Sequence, residues 1–235
     1  KEFKNNKDHK LSLSALGRYF GKDLSSEFTN RGISGGAPSA NQLTRTNFQQ
    51  ADYTFKLDYK NPITERITLE TGAQYVINDV GNDYAVYNEE NDEFVVDSNL
   101  TNNFEYIQNV LGVYATGAYE REKWGLKLGV RGENTILNTL LTNTNEKNEQ
   151  NYTNLFPSIH TSYKFSKRFS IQAGYSRRIY RPRLWDLNQF FNIRNNFNIR
   201  QGNPNLQPEF TDSYELTGIF IWKKFTLNSS IYNLY

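Results

Sequence analysis

The sequence of 235 residues contains no cysteine and no methionine, and it has only two histidines. The absence of cysteine excludes a disulfide framework and cysteine-based metal sites. The longest apolar runs are far shorter than 18 residues and the mean hydropathy is −0.74, which excludes a transmembrane helix. A net charge of +2 provides no broad basic field, so we expect no nucleic-acid partner. No motif indicates a metal or a cofactor.

The first residue is Lys1, and a natural chain would start with methionine. We therefore expect the sequence to be an internal piece or a processed product. Any targeting signal would then have been lost with the preceding residues.

Nine segments alternate apolar and polar residues with a period of two, which is the pattern of strands with one apolar face. In the first segment, Leu11, Leu13 and Ala15 share one face, and Ser12 and Ser14 share the other. The predicted strands are residues 11–19, 53–60, 67–77, 104–119, 124–133, 155–165, 169–175, 214–222 and 225–231.

Short polar turns and long Asn-rich loops alternate between these strands. The short turns are residues 61–65, 120–123, 166–168 and 223–224, and the long loops are about 20–45, 79–103, 138–152 and 181–212. This rhythm is typical of membrane barrels with tight periplasmic turns and large extracellular loops, and a soluble sandwich would rarely keep it. We predict an all-β protein, a transmembrane antiparallel up-and-down β-barrel.

The two faces of the predicted strands differ in chemistry. Eight aromatic residues fall at predicted strand ends, where interfacial girdles of a barrel lie, although aromatic residues also simply favour strands. They are Tyr19, Tyr59, Tyr119, Trp124, Phe165, Phe169, Trp222 and Phe225. Charges of both signs fall on the predicted water-filled inner face, at Lys56, Asp58, Glu70, Lys127, Arg131 and Glu133.

An odd number of strands has a physical consequence. An open sheet edge inside hydrocarbon leaves backbone groups unpaired, at several kcal/mol each. We therefore expect that this sequence is a fragment of a larger barrel, unless the strand count is wrong by one and the piece closes as a small barrel.

The fourth long loop is the best candidate for a ligand or partner site. Its basic and aromatic residues would be costly to expose together, so we expect the loop to fold onto itself, the lumen or a partner. The arginines could pair with lipopolysaccharide phosphates, with Glu209 or Glu215, or with an anionic ligand, and we favour internal pairing. The candidate residues are Arg181, Arg183, Trp185, Phe190, Phe191, Arg194, Phe197 and Arg200.

The block from Gly202 to Glu209 predicts a rigid turn. Pro204 and Pro208 fix φ, Gly202 permits a positive φ, and the Asn203 side chain can bond its own backbone. We expect the chain to re-enter the barrel here, with Glu209 and Glu215 beginning a column that faces the lumen.

Two further chemistries are weakly indicated. Ser158, His160 and Ser162 could face the lumen together, but neighbours two apart on a strand point in parallel, so we expect no enzyme. The acidic stretch Glu89, Glu90, Asp92 and Glu93 lacks the spacing of a calcium loop, so a solvated loop tip is favoured over a metal site.

Several motifs together resemble TonB-dependent outer-membrane receptors, in particular the outer-membrane β-barrel family common in Bacteroidetes. A Tyr-Ser-Arg-Arg strand, an Arg-Pro step, a Gly-Asn-Pro-x-Leu-x-Pro-Glu loop and a Tyr-Glu-Leu strand follow in that order. Upstream, residues 51–53, 70–72, 129–133 and 154–158 also fit that family's pattern. The late motif residues are Arg177, Arg178, Pro182, Gly202, Asn203, Pro204, Leu206, Pro208, Glu209, Tyr214, Glu215 and Leu216.

This resemblance implies a barrel of roughly 22 strands with an N-terminal plug, energised through TonB from the inner membrane. The plug and the TonB box are not found here, so residues 1–235 are predicted to form part of one barrel domain. The implied partners are outer-membrane lipid and lipopolysaccharide, the TonB complex through the missing N-terminal region, and a surface lipoprotein or other subunit.

Two functions stay open for such a barrel in the outer membrane of a Gram-negative bacterium. The first is uptake of a scarce ligand, such as a metal chelate, glycan or peptide, with the long loops as the capture surface. The alternative is a barrel that transports nothing and serves as a platform for surface lipoproteins or a secretion complex.

Overall fold

Nine long strands form most of the molecule, as the sequence predicts. The computed structural model describes residues 2–3, 6–29, 41–188, 192–195, 198–200 and 202–235, and the side chains of residues 9–29, 41–188 and 202–235. The elements are β1 (Glu2–Phe3), β2 (Asn6–Phe28), β3 (Gln42–Pro62), β4 (Ile67–Glu90), β5 (Glu93–Val96), β6 (Asn102–Glu120), β7 (Trp124–Leu141), β8 (Glu146–Lys164), β9 (Phe169–Tyr180), α1 (Leu184–Leu187), β10 (Asn192–Asn195), β11 (Asn198–Arg200), β12 (Glu209–Trp222) and β13 (Phe225–Leu234).

The long strands pair in chain order in one antiparallel sheet. The order is β1-β2-β3-β4-β6-β7-β8-β9-β12-β13, and β5 pairs with β4 outside this path. Within the described residues the first and last strands do not pair with each other, so this sheet is open rather than closed into a small barrel. That arrangement agrees with the expected incomplete barrel.

The strands are longer than predicted on the side of the large loops. β4 continues to Glu90 and β6 begins at Asn102, so much of the predicted loop 79–103 is strand. The predicted loop 138–152 shrinks to a turn at 142–145 between β7 and β8. These predicted loop boundaries were wrong, because Asn-rich and Thr-rich segments can also pair their backbones as strands in water. Composition alone does not separate such a strand from an irregular loop.

The predicted face assignment is confirmed along the sheet. On β7, Leu126, Leu128 and Val130 are exposed on the outer face, while Glu133 and Thr135 on the opposite face are buried. In a membrane the exposed apolar row contacts acyl chains and the other row lines the interior. The charges predicted to face the interior pair there, in Lys56–Asp58, Lys127–Glu70 and Arg131–Glu133, and Lys60 also pairs with Glu70.

Aromatic side chains cluster at the short turns. Trp124 contacts Tyr163 edge-on with 5.2 Å between ring centroids, Tyr163 contacts Phe165, and Phe165 stacks on Phe169 at 5.3 Å. The turn between β8 and β9 is closed by Ser166, whose Oγ accepts the backbone N–H of Arg168 at 3.1 Å. This cluster supports the predicted girdle at the periplasmic end.

Tyr19 was predicted to lie at a strand end, but it lies within β2. Tyr19 lies on the outer face of the sheet together with Tyr53 and Tyr75, which occupy neighbouring register positions on β3 and β4. Tyr53 is about nine residues from the end of its strand, which is the length of a strand segment that crosses the hydrocarbon. These tyrosines therefore mark the second membrane boundary.

The buried apolar cluster lies on the inner face, in the half of the sheet far from the short turns. Its residues are Val80, Phe104, Tyr106, Leu137, Leu141, Leu184 and Leu187. In the part of the chain that the structure describes, no helix is long and apolar enough to cross a membrane.

The acidic stretch forms a tight hairpin between β4 and β5. Glu90 pairs with Glu93 across Asn91 and Asp92, which both have positive φ, at 50° and 66°. Asn and Asp tolerate that conformation better than most residues. The stretch is thus a hairpin tip rather than an irregular loop.

Candidate functional site

The fourth loop folds into the interior instead of extending into solvent. We call residues 181–188 and 202–208 the strap. Leu184 and Leu187, on the short helix α1, are buried in the inner cluster at 5% and 0% exposure. Their burial against Val80 and Leu137 draws the strap onto the inner face, because apolar area removed from water is the main driving force for packing. The loop was predicted to fold onto itself, onto the lumen or onto a partner, and its described part folds onto the lumen.

Helix α1 is stabilised at its start by its own sequence. The backbone N–H of Arg183 donates to the Asp186 carboxylate at 3.0 Å, and the N–H of Asp186 donates to the carbonyl of Arg183 at 2.9 Å. A carboxylate in the first turn also suits the positive end of the helix. This local cap explains why a single turn of helix forms between Pro182 and the following loop.

The two halves of the strap are joined at Gly202. Its N–H donates to the carbonyl of Asn188 at 2.6 Å, and the N–H of Asn203 donates to the carbonyl of Asp186 at 2.7 Å. A Cβ at position 202 would lie 2.6 Å from both carbonyl oxygens, so only glycine fits this contact. The glycine serves close backbone approach, whereas the sequence predicted a positive φ.

The following turn agrees with the prediction for the Gly-Asn-Pro block. Asn203 Oδ1 accepts the backbone N–H of Asn205 at 2.9 Å, which is an Asx turn. The Pro204 carbonyl then accepts Nε2 of Gln150 at 3.0 Å and also Nδ2 of Asn148. These two amides of β8 fix the second half of the strap to the sheet.

An ion cluster holds the first half of the strap. Glu133 is buried and accepts hydrogen bonds from the guanidinium groups of Arg131 on its own strand and Arg181 on the strap. Arg181 also donates to the Thr135 hydroxyl at 3.2 Å, and Thr135 is fully buried. Internal pairing of Arg181 is thus confirmed, although its partner is Glu133 and not the predicted Glu209 or Glu215.

Aromatic stacking also holds the strap against the inner face of β3. The Trp185 ring stacks on Phe48 of β3, with 5.9 Å between centroids and 18° between planes. Phe48 in turn contacts Phe20 of β2 at 6.1 Å. Trp185 retains 39% of its exposure, so one face of the indole stays open.

A cavity of about 470 Å³ lies between the strap and the sheet. Side chains of β2, β3, β4 and β6 form one wall, and the strap forms the other. Burial raises the pKa of the Tyr106 phenol in this wall well above its ordinary value. The lining residues are Arg18, Phe48, Gln50, Asn78, Val80, Tyr106, Gln108, Arg181, Pro182, Arg183, Leu184 and Trp185.

Three of the predicted ligand-loop residues meet at this cavity, namely Arg181, Arg183 and Trp185. Phe190, Phe191 and Phe197 lie outside the described residues. Arg194 and Arg200 lie on the hairpin β10–β11, of which the backbone is described. The role of these residues in ligand binding stays a prediction.

The late motif residues are divided between the inner and the outer face of the sheet. Arg177, on the outer face, lies 5.0 Å above the Phe210 ring, and Arg178 pairs in register with Thr211 of β12. Pro182, Gly202, Asn203, Leu206 and Glu209 line a second cavity of about 370 Å³ beside the strap. Tyr214 and Leu216 are exposed on the outer face, and Glu215 between them faces inward with His160 in a third cavity.

Sequence reasoning missed how the strap is held. It placed Glu133 on the inner face but did not pair it with Arg181, which is 48 residues away in sequence. The spacing of Leu184 and Leu187 by three residues, with Asp186 in the first turn, was a usable signal for a short helix packed on one side. Phe48 lay between the predicted loop 20–45 and the predicted strand 53–60 and therefore could not be recognised as a stacking partner.

The polar row on β8 faces the interior as predicted. Ser158, His160 and Ser162 stand opposite three glycines, Gly129, Gly174 and Gly125. A Cβ at Gly174 would lie 2.9 Å from His160 Nδ1, so the imidazole covers the backbone of the next strand. The three side chains are held apart along the strand by this arrangement.

A profile of the outer membrane protein beta-barrel family matches residues 1–234. The chain belongs to this family. The fold seen here, with an apolar outer face and a polar inner face, is the one that this membership requires. The protein is therefore a β-barrel protein of the outer membrane of a Gram-negative bacterium, in contact with outer-membrane lipid.

Solved structures of transporter barrels have the same fold as this family member. The ferric citrate transporter FecA in its unliganded form aligns with a TM-score of 0.63 and 13% identity, over 98% of this chain and 32% of its own. The copper transporter OprC aligns with a TM-score of 0.67 and 12% identity, over 94% of this chain and 35% of its own.

BauA, the ferric preacinetobactin receptor from Acinetobacter baumannii, aligns with a TM-score of 0.60 and 15% identity, over 97% of this chain and 35% of its own. This chain thus spans about a third of the length of these receptors. No curated protein matches it in sequence.

Gly202→Ala should release the strap from the inner face of this family member. The added Cβ would meet two backbone carbonyls at 2.6 Å, so the Asn188 and Asp186 contacts must open. We expect limited proteolysis of the detergent-purified protein to cut within residues 181–208 at least about tenfold faster. Gly117→Ala is the matched control, because nothing lies within 4 Å of a Cβ there. Equal cutting of both variants would contradict the role of Gly202.

Proposed function

We propose that this chain is part of a TonB-dependent receptor that takes up a scarce ligand across the outer membrane, with the strap and its neighbouring loops as the capture surface. The observation that carries the proposal is the folded strap, which joins the family's late motif to a cavity on the inner face. A loop that only decorated the surface would not place two leucines and an ion pair inside the barrel.

The fold comparison supports the same conclusion. Each of the three aligned proteins is named as a transporter or receptor, two for iron chelates and one for copper. The strand order and length of this chain align with about a third of each of those barrels. The plug and the TonB contact would lie in parts of the full protein beyond these residues.

Growth of the native organism tests the proposal. We expect deletion of the gene to slow growth when one class of nutrient is limiting, in a panel of iron chelates, copper, glycans and peptides. Disruption of TonB in the same strain should add nothing to that defect. Complementation with a variant whose residues 182–207 are replaced by a Gly-Ser linker should restore the barrel in the membrane without restoring growth.

A platform without transport is the alternative function. Under that hypothesis the deletion strain would grow like its parent on every nutrient, and surface lipoproteins would be lost from the outer membrane instead. Affinity purification of the full-length protein from membranes separates the transport and platform hypotheses, when the lipoproteins that accompany the intact form are compared with those that accompany the strap-deleted form.

We also propose that the chain is not an enzyme. The parallel arrangement of Ser158 and His160 along β8, each over a glycine, supports a lining role. Replacing both residues with alanine should leave nutrient-dependent growth unchanged.

A further inference from the structure

The cavity beneath the strap is lined by cations from both of its walls. Arg18 reaches it from β2, and Arg181 and Arg183 reach it from the strap. Its described lining includes no aspartate and no glutamate. Carboxylates lie beside this lining and are already paired, because Glu133 is shared between Arg131 and Arg181, Asp52 accepts from Arg18, and Asp186 accepts from the backbone N–H of Arg183. The formal charge of the residues that line the cavity is positive.

The carboxylate of Asp52, on the inner face of β3, is already saturated. Asp52 accepts hydrogen bonds from Arg18 Nε at 3.0 Å, Asn78 Nδ2 at 2.7 Å and Gln50 Nε2 at 3.0 Å. These contacts orient Arg18 and fix the amides of Gln50 and Asn78. Asp52 thus preorganises this wall of the cavity.

A buried donor in the same wall has no acceptor. Gln108 lines the cavity and is 7% exposed, and its Nε2 has no hydrogen-bond partner among the described residues. Buried polar groups are nearly always paired with protein, water or ligand. An amide N–H group is satisfied by an acceptor such as an oxyanion oxygen, so this atom indicates what the cavity would hold.

We propose that the cavity binds a small anionic molecule through carboxylate or phosphate oxygens. The anion contacts the guanidinium groups of Arg183 and Arg18 and accepts a hydrogen bond from Gln108. Guanidinium groups suit this role, because they present parallel N–H donors that match two oxygens of a carboxylate or phosphate. The exposed face of Trp185, stacked on Phe48, covers the apolar part of the ligand.

This inference rests on the proposed function, because it names the chemical class of the captured ligand. The strap supplies Arg181, Arg183 and Trp185, and the sheet supplies Arg18, Phe48 and Gln108. Opening the strap therefore dismantles the site, and occupation of the site would hold the strap closed.

Citrate and pyrophosphate are the probes for a binding experiment with the purified full-length protein in detergent. In a variant in which every tryptophan except Trp185 is replaced by phenylalanine, Trp124 and Trp222 among them, fluorescence reports on the cavity. We expect saturable fluorescence and calorimetric changes with at least one probe, weakening as salt is raised. Trimethyl citrate, the neutral ester, should not bind. The two anions distinguish recognition of carboxylates from recognition of phosphates.

Variants locate the site. We expect Arg183→Met to weaken binding about ten- to hundredfold and Gln108→Leu about tenfold. Gln108→Leu removes an unpaired buried donor, so it should unfold in urea at the same or a higher concentration than the parent, and its loss of binding would not reflect misfolding. Arg66→Met, in a periplasmic turn, is the matched control and should bind like the parent.

Failure of this inference can be told from failure of the proposed function. If neither anion binds at millimolar concentration to the folded parent, or if Arg183→Met and Gln108→Leu bind like the parent, the anion site is wrong. The same holds if trimethyl citrate binds as well as citrate. Nutrient-dependent growth that still requires the chain would then leave the transporter proposal intact.

Discussion

Glu133→Ala should destabilise the protein by about 3 kcal/mol and free the strap, because it leaves two partly buried guanidinium groups without their carboxylate. Glu133 accepts from Arg131 and Arg181, and it is only 7% exposed. We place the effect at the low end of the range for a broken buried pair, since the Arg131 side chain is one third exposed. The measurement is urea unfolding in detergent micelles, followed by tryptophan fluorescence and by protease cutting within residues 181–208.

Two comparisons sharpen this experiment. Glu70→Ala removes a more exposed carboxylate that pairs with Lys60 and Lys127, and should cost less than about 1 kcal/mol. A double-mutant cycle with Arg181→Met isolates the contribution of the strap. If the effects of Glu133→Ala and Arg181→Met simply add, the ion pair does not hold the strap and this account of it is wrong.

Leu128→Arg should cost about 2–4 kcal/mol, because it places a charge on the acyl chains near the middle of the membrane. Leu128 is 48% exposed on the outer face of β7 and pairs in register with Ile159. We expect a lower yield of folded protein in lipid vesicles and a lower urea midpoint. Loss of the heat-modifiable folded band on unheated gels gives an independent readout.

Ser176→Arg is the matched control for the lipid face. Ser176 pairs with Ser158, which pairs with Gly129, so it lies at nearly the same height but on the inner face. An arginine there meets a polar interior and should cost far less. An equally large loss of stability in both variants would mean that the two faces do not differ in environment. The assignment of one face to lipid and the other to the interior would then be wrong.

The nine strands and their faces were predictable because they depend on local pattern. A period of two in β7 separates Leu126, Leu128 and Val130 from Lys127 and Arg131 whatever the rest of the chain does. Register then follows from matching faces across short turns, and the observed pairing of Tyr114 with Arg131 on the inner face, across the turn between β6 and β7, agrees with it.

The strand ends on the side of the large loops were not predictable in the same way. Residues 146–152 are almost entirely polar, and in residues 79–90 Asn82 and Asn88 interrupt the apolar face formed by Val80, Tyr84 and Val86. Such segments form strands only when a partner strand continues beside them. Their inner faces are covered by Phe104, Leu137 and the strap. Packing between distant segments therefore decided where these strands end.

The sequence alone determined the class of fold, the membrane setting and the family, because alternation of side chains and short motifs are properties of neighbouring residues. Only the tertiary structure decided that Arg181 meets Glu133, that Trp185 stacks on Phe48 and that Gln108 is buried without an acceptor. These contacts join residues 48 and 137 positions apart, or depend on what covers a side chain. Such contacts exist only after the sheet has curved and the late loop has folded onto it.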